Sequence, residues 1–398
     1  MDITIQPGKL SGAIRAIPSK SQAHRLLICA AFADKPTNLI CPQTNQDIEA
    51  TAQCLRALGA NISKNIDGYS IAPIENVPES AILDCCESGS TLRFMLPIAG
   101  ALGVSATFKM AGRLSSRPLS PLWEEMERMG CCLSRPTSDT ILCIGKLQAG
   151  NYTIDGGVSS QYITGLMFAT ALIAGNSKLT ITGKIESAPY IEMTRQALSL
   201  FGVSTKDNQI TGAFPFCSPS QITVEGDWSN GAFFLAANAI GSKLTIEGLN
   251  VSSAQGDRAV STILNSMNEH ITVSAADIPD LVPILSVVAA AKSGAVFTNI
   301  QRLRLKESDR VESVIAMLRA FGIQASATEE TLTVYSGKFT GGIVDAVNDH
   351  RIAMSAAIAA TIANEPVTIL GAQCVAKSYP TFWDEYRRLG GNYEQYIR

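Results

Sequence analysis

The sequence predicts an α/β protein of two domains, each made of three similar units of two helices and several strands. Three observations predict it. The chain has 398 residues, more than one ordinary hydrophobic core serves. A helix closing on an aliphatic–Gly pair recurs along it, and so does an Ala-rich helix that turns into a β-branched strand. Recurrence at this spacing marks a supersecondary unit used many times.

The first pattern reads "CLRALGANI" at Cys54, "EEMERMGCCL" at Glu124, "ALSLFGVST" at Ala197, "AMLRAFGIQA" at Ala316 and "EYRRLGGNY" at Glu385. Each is an amphipathic helix with Gly at its C-terminal cap, where a left-handed backbone suits Gly. "TILNSMNEHITV" at Thr262 is a degenerate copy without the Gly. The second pattern reads "AAFADKPTNLICPQ" at Ala30, "AGALGVSATFKMAG" at Ala99 and "ALIAGNSKLTITGK" at Ala171. It returns as "AANAIGSKLTIEGL" at Ala236, "AAAKSGAVFTNIQR" at Ala289 and "AATIANEPVTILGA" at Ala359. Successive copies start about 53 to 72 residues apart. Linkers near Pro18 and near Glu225-Gly226-Asp227 make the first domain discontinuous, residues 1–18 plus 227–398, with 19–226 inserted. The Ala-rich helices carry few charges, as expected of helices packed inside under a mixed sheet.

Composition excludes several classes. The net charge is −3, so no global basic face for nucleic acid is expected. No apolar stretch reaches the roughly 18 residues that span a bilayer. The first residues, MDITIQPG, do not resemble a signal or transit peptide, and a cytoplasmic protein is expected. Ten Cys without a C-x-x-C, and three scattered His, give no metal-ligand spacing. P-loop, dinucleotide and serine-hydrolase motifs are absent. Chemistry must then rest on acid–base groups and fixed positive charge.

Those groups cluster in two kinds of place. Loops after the repeated strands are polar: "GRLSSRPLSP" at Gly112, "KIESAPYIE" at Lys184, "RLRLKESDR" at Arg302 and "VAKSYPT" at Val375. "RLRLKESDR" packs six charges into nine residues of a chain that is 17% charged overall. Corresponding loops of a repeat array gather on one face, which groups Arg117, Ser187, Tyr190, Lys306, Glu307, Arg310 and Lys377. Helix starts supply the rest. Lys20, Ser21 and Arg25 open one helix. Gly89 and Arg93 lie in a second, Ser159, Ser160 and Gln161 in a third, and Asp349, His350 and Arg351 in a fourth. Helix N-termini with Ser and Gly offer N–H groups to anions, and Arg grips a carboxylate or phosphate with two bonds. Ser159 also reads as a plain N-cap, and Arg93 as a buried ion-pair member. Asp280, just before an apolar helix, reads either as an N-cap or as a base with a raised pKa. The pattern calls for at least two phosphate or carboxylate groups.

Ten motifs in order, "PSKSQAHR", "ESGSTLRF", "GRLSSRPL", "GGVSSQY", "ESAPYI", "VEGDWSNGAFFLAA", "IPD", "RLKESDR", "NDHRIAM" and "AKSYPTFW", resemble the 5-enolpyruvylshikimate-3-phosphate synthase family. The resemblance implies an enolpyruvyl transferase fold of six βαβαββ-type units, three per domain, with the active site in the cleft between the domains. It implies transfer of the enolpyruvyl group of phosphoenolpyruvate to shikimate 3-phosphate, with no metal or organic cofactor and with a monomer as the working state. Lys20 would contact both substrates, with Ser21 and Arg25 at the shikimate carboxylate. Ser159, Ser160 and Ser187 would bind the phosphate of that substrate, beside Gln161 and Tyr190. Gly89, Arg117 and Lys377 would hold the phosphoenolpyruvate phosphate, and Arg310 and Arg351 its carboxylate. Asp280 would be the base, and Glu307, helped by Lys20 or Lys306, would handle the methylene proton.

Two positions depart from the family pattern: Glu87 replaces a common Asn, and Arg302 replaces an Asn of some members. The sister transferase acting on UDP-N-acetylglucosamine carries a Cys in the loop that is 112–118 here, and this chain has none. A non-catalytic sensor of phosphorylated acids would keep the cations but would not need Asp280 and Glu307 together. RNA-end cyclases share a related repeat, but they place a catalytic His in another context.

Overall fold

The computed structural model describes residues 1–212 and 214–396. The chain divides into two compact units, Met1–Ile17 with Gly226–Arg398, and Pro18–Glu225. Each has a hydrophobic core of its own.

The first unit begins with β1 (Asp2–Gln6) and β2 (Ser11–Arg15). The second unit then holds three repeats. The first contains α1 (Lys20–Ala31), β3 (Thr37–Ile40), α2 (Gln46–Ala57), β4 (Asn61–Asn65) and β5 (Gly68–Ala72). The second contains β6 (Ser80–Asp84), α3 (Gly89–Leu102), β7 (Ser105–Lys109), α4 (Leu122–Arg128), β8 (Cys131–Ser134) and β9 (Thr140–Gly145). The third contains β10 (Asn151–Asp155), α5 (Ser160–Leu172), β11 (Asn176–Thr182), α6 (Ala188–Leu200) and β12 (Gln209–Thr211). Strand β13 (Gln221–Thr223) then returns to pair with β3.

The first unit resumes with α7 (Trp228–Ala239), β14 (Lys243–Glu247) and α8 (Val260–Ser266), which form a repeat with β2. Next come β15 (Ile271–Ser274), α9 (Val282–Ala291), β16 (Ala295–Thr298), α10 (Arg310–Ala320), β17 (Ala325–Ala327) and β18 (Thr331–Val334). The last repeat holds β19 (Gly342–Asp345), α11 (His350–Ala360), β20 (Val367–Leu370), α12 (Phe382–Arg388) and β21 (Asn392–Tyr396), and β1 completes its sheet.

One topology underlies all six. The strand before the first helix pairs parallel with the strand after it: β13–β3, β6–β7, β10–β11, β2–β14, β15–β16 and β19–β20. In five repeats a later strand, or β1, adds antiparallel on the far side. The resemblance implied six βαβαββ-type units, and two of them have fewer strands among the described residues. The α5/α6 repeat forms three strands, and the α7/α8 repeat only two. The reason for the second is visible at α8. The other second helices lead through a Gly turn into an outer strand of their own sheet. Only residues 267–270 separate α8 from β15, which belongs to the next repeat. The missing Gly of the degenerate copy marks the missing strands.

The Gly caps are as expected. Gly59, Gly130, Gly202, Gly322 and Gly390 all have positive φ, from 76° to 114°. At Gly130 an added Cβ would lie 2.7 Å from the Lys146 carbonyl oxygen, so both conformation and space exclude a side chain. The Ala-rich first helices are buried on nearly all sides; every residue of α11 is inside. Small side chains permit this. At Gly165 a Cβ would lie 2.2 Å from the Arg93 carbonyl oxygen, so α5 and α3 meet backbone to backbone. None of the described helices is long and apolar enough to cross a membrane.

Candidate active site

In the second unit the candidate residues collect at the starts of α1, α3, α5 and α6. The hydroxyls of Ser19, Ser88 and Ser159 cap the first three helices. Capping satisfies one N–H of each first turn and leaves others directed outward. Lys20, the first residue of α1, places Nζ 2.9 Å from Asp47 Oδ2 on α2. Gly89 is the first residue of α3. A Cβ there would lie 2.5 Å from Arg93 Nη1 and 2.7 Å from Arg117 Nη1, so two guanidiniums converge on that helix start. Arg117 Nε is buried without a hydrogen-bond partner. Arg93 Nη1 donates to Gln161 Oε1 at 3.1 Å, and Gln161 Nε2 donates to Ser90 Oγ at 3.0 Å. The close approach at Gly165 makes these bonds between α3 and α5 reachable. Ser160 is buried at the first position of α5. Gly112 has φ 55°, and a Cβ there would meet Glu87 Oε2 at 2.8 Å, so Gly lets the turn that leads to Arg117 pass close beside Glu87.

Arg25 is a clamp. Nε donates to Thr194 Oγ1 (2.9 Å), Nη1 to the Ser21 carbonyl (2.6 Å), and Nη2 to Thr164 Oγ1 (3.3 Å) and the Tyr190 carbonyl (2.9 Å). Four of its five N–H groups are thus engaged, three of them joining α1 to α5 and α6, while the guanidinium lies over the Phe94 ring. Burial pulls its pKa down to about 10. Ser187, just before α6, is buried in the left-handed region at φ 57°. That conformation costs a non-Gly residue about 1–3 kcal/mol and concentrates at functional sites.

In the first unit the charged residues form one network around Arg310. The guanidinium is 1% exposed and holds three carboxylates: Asp349 Oδ2 on Nε (2.9 Å), Asp280 Oδ1 on Nη1 (2.6 Å) and Glu307 Oε2 on Nη2 (2.7 Å). Arg351 Nη2 binds Asp280 Oδ2 at 3.0 Å, and Lys306 Nζ lies 3.6 Å from Asp280 Oδ1. Asp349 caps α11 through the Arg351 N–H and also accepts from Ser308 Oγ. Lys377 is nearly buried, with Nζ on the Asn348 carbonyl at 3.0 Å. "RLRLKESDR" is thus a 3-10 turn, Gln301–Leu305, followed by the start of α10, and it delivers Lys306, Glu307 and Arg310 to one place.

This arrangement matches known proteins along its whole length. The family model described as "EPSP synthase (3-phosphoshikimate 1-carboxyvinyltransferase)" matches residues 5–386. The chain belongs to the EPSP synthase family. A 3-phosphoshikimate 1-carboxyvinyltransferase of Clostridium kluyveri is 36% identical over 420 residues, covering 99% of this chain and 98% of that protein. One from Clostridium acetobutylicum is also 36% identical, over 421 residues, covering 99% and 98%. The EPSP synthase structure from Acinetobacter baumannii aligns with TM-score 0.82 at 24% identity over 99% of this chain and 100% of its own. The enolpyruvyl transferase NikO from Streptomyces tendae aligns with TM-score 0.78 at 17% identity over 99% and 98%, a likeness of fold.

For this EPSP synthase family member, Asp280 needs correction on two counts. It does not cap α9: the cap position is Leu281, with no side-chain bond, and Asp280 sits one residue earlier. Its pKa is not raised. Burial pushes it up, but Arg351, Lys306 and Arg310 overcome that and hold the carboxyl well below the usual range. Lys306 moves the other way, because burial lowers its pKa to about 8 despite Asp280. A lysine tuned so far down gives up its proton far more readily than an ordinary one. Burial opposes the charge on Arg310, yet Asp349, Glu307 and Asp280 raise its pKa well above the arginine value. Sequence reasoning missed Asp47, and Asp349 as a ligand of Arg310. Asp349 was visible only as a helix start; nothing in its spacing shows that its second oxygen reaches Arg310.

Proposed function

We infer that this protein transfers the enolpyruvyl group of phosphoenolpyruvate to the 5-hydroxyl of shikimate 3-phosphate and releases phosphate. The observation that carries the reading is the pair Asp280 and Glu307 on one buried guanidinium, 2.6 and 2.7 Å from Arg310. Addition–elimination needs two proton-transfer groups and fixed cations, and this pair with Lys306 and Arg351 supplies them.

The roles follow the chemistry of each group. Ser159, Ser160 and Ser187 bind the shikimate phosphate, beside Gln161 and Tyr190, while Ser21 and Arg25 serve its carboxylate. Gly89, Arg117 and Lys377 take the phosphoenolpyruvate phosphate, and Lys20 touches both substrates. Arg310 and Arg351 take the phosphoenolpyruvate carboxylate; Arg310 has three of its five N–H groups engaged and two left for it. The methylene carbon gains a proton through Glu307 with Lys20 or Lys306, and cationic charge builds at the adjacent carbon. The 5-hydroxyl attacks that carbon as Asp280 accepts its proton, giving a tetrahedral phosphoketal. Loss of a proton from the methyl group so formed and cleavage of the carbon–oxygen bond to phosphate restore the methylene and complete the transfer. A substrate carboxylate on Arg310 and Arg351 draws those cations from Asp280, so substrate binding itself raises the basicity of Asp280.

A reducing cytoplasmic setting suits a chain whose ten cysteines are all free thiols, and a monomer is the proposed working form. The test is phosphate release from phosphoenolpyruvate, without added metal, in parallel with shikimate 3-phosphate and with UDP-N-acetylglucosamine. Release with shikimate 3-phosphate alone is expected. Silence with both, in folded protein, overturns the reading.

A further inference from the structure

The loop that delivers Arg117 is tied down by a residue to which the reaction gives no part. Arg117 follows the 3-10 turn Gly112–Ser116, and its own N–H donates to the Leu114 carbonyl at 3.2 Å. The next carbonyl along, that of Pro118, accepts bonds from two helices. Tyr162 Oη on α5 donates to it at 2.5 Å, and Arg93 Nη2 on α3 donates to it at 3.2 Å. Tyr162 is buried, and the Arg93 guanidinium lies over its ring, 5.7 Å from the centroid. Proline fixes its own φ and keeps the residue before it extended; Arg117 has φ −75° and ψ 137°. Few torsions are therefore free between the pinned carbonyl and Arg117, and holding the one aims the other. The aim needs holding. Arg93 and Arg117 bring their Nη1 atoms to the same point beside Gly89. Like charges so close repel, which pushes Arg117 off the start of α3. The two bonds at Pro118 oppose that push, and one of them comes from the guanidinium that causes it.

We propose that Tyr162 is a positioning residue for the phosphoenolpyruvate phosphate: its hydroxyl pins the Pro118 carbonyl, and through the stiff Arg117-Pro118 pair it aims the Arg117 guanidinium at the start of α3. This deepens the transferase reading and rests on it for the identity of the anion. A buried tyrosine hydroxyl needs a partner in any case. What makes this one more than packing is where the partner lies, one residue past a cation that a phosphate must find in place. Tyr162 adds no charge of its own, so its effect on an anion can come only through geometry.

Tyr162→Phe removes the hydroxyl alone; the ring and every charge at the helix start remain. Its KM for phosphoenolpyruvate is expected to rise about 3- to 10-fold, the effect of one neutral hydrogen bond. Arg117 holds the phosphate in ground and transition states alike, so kcat stays within about twofold, as does KM for shikimate 3-phosphate. Arg117→Ala separates aim from packing. In that background Tyr162→Phe should add less than about twofold, since nothing is left to aim. A purely structural hydroxyl adds its full factor in both backgrounds. That result, or an unchanged KM in the single variant, overturns the proposal. Inorganic phosphate, titrated by calorimetry, needs no turnover. The phosphate binding that Arg117→Ala abolishes should weaken in Tyr162→Phe by the same factor as KM. Phosphate binding that either variant leaves unchanged overturns the proposal even in an active enzyme. Weakened binding in a protein silent with shikimate 3-phosphate leaves the tether standing and removes only the transferase reading.

Discussion

Arg310 carries three carboxylates on one guanidinium, and two of them are the proposed acid–base pair. An arginine so buried fixes Asp280 and Glu307 in place, and with Arg351 and Lys306 it holds Asp280 ionised until something competes. Removing either carboxylate should therefore cost proton transfer more than folding. Asp280→Asn and Glu307→Gln are each expected to lose roughly 10²–10⁴-fold in kcat; steady-state phosphate release on variants with wild-type circular dichroism checks this, and near-normal turnover would remove the assigned role. Gly89 makes a contrasting case. A methyl there meets first the guanidinium tips of Arg93 and Arg117, the far ends of long side chains. The fold can yield, but a phosphate on the start of α3 would lose Arg117 from its best position. A charge-assisted bond of about 1.5–3 kcal/mol corresponds to about 10- to 150-fold. Gly89→Ala should raise KM for phosphoenolpyruvate by that order, with Tm little changed; an unaltered KM would show that this helix start does not hold the phosphate.

Among the elements, the first helices share a rule. Five of the six are N-capped by a Ser or Asp side chain: Ser19, Ser88, Ser159, Asp227 and Asp349. The exception is α9, where the acid sits one residue early and turns to the cations instead. Asp349 does both tasks, one oxygen capping α11 and the other on Arg310. Asp349→Asn keeps a capping oxygen but leaves Arg310 short of one charge. The cost should be on the order of 3 kcal/mol, the lower end for breaking a buried pair, since Arg310 keeps Asp280 and Glu307. The sign with pH follows from the lowered pKa of Asp349, where Arg310 overcomes burial. The wild-type advantage is fully present above the unfolded aspartate value of about 3.9, and it is lost as pH falls through the depressed folded value. Urea denaturation of both proteins across that range measures it; a gap that persists in acid would mean packing, not charge. These caps were legible in the sequence because capping is local, a Ser or Asp followed by an apolar helix. Gly turns were legible for the same reason. Partners were not: Arg310 and Asp349, 39 positions apart, carry no mark of their bond, and the clamp of Arg25 on Thr194 spans 169. Asp280 was misread because its apolar neighbours in sequence are not its neighbours in space.

At the scale of the molecule, the candidate site residues are divided between two units with separate cores. The second unit holds helix starts furnished with Ser, Gly, Lys and Arg, suited to phosphate and carboxylate. The first holds the carboxylate–arginine network, suited to moving protons. The sheets of each unit are completed by strands that pass between repeats: β13 returns to the first sheet of its unit, and β1 and β2 join sheets formed far along the chain. Local sequence could suggest the repeats but not the two shortened sheets, because a strand lost beside α8 shows only as a missing Gly. If both constellations serve one reaction, ligands must be felt in both units. Shikimate 3-phosphate alone is expected to slow amide hydrogen exchange chiefly in the first turns of α5 and α6, where Ser160 and Ser187 lie. Adding phosphoenolpyruvate should extend protection to the start of α3, to Lys306 and Glu307, and to the first turn of α11. The carboxylate of the second ligand goes to Arg310 and Arg351, so protection in the first unit should depend on it. Hydrogen-exchange mass spectrometry with each ligand and with both reads this directly. Protection confined to the second unit with both ligands bound would break the link between the anion sites and the proton-transfer network, and with it the single-reaction reading.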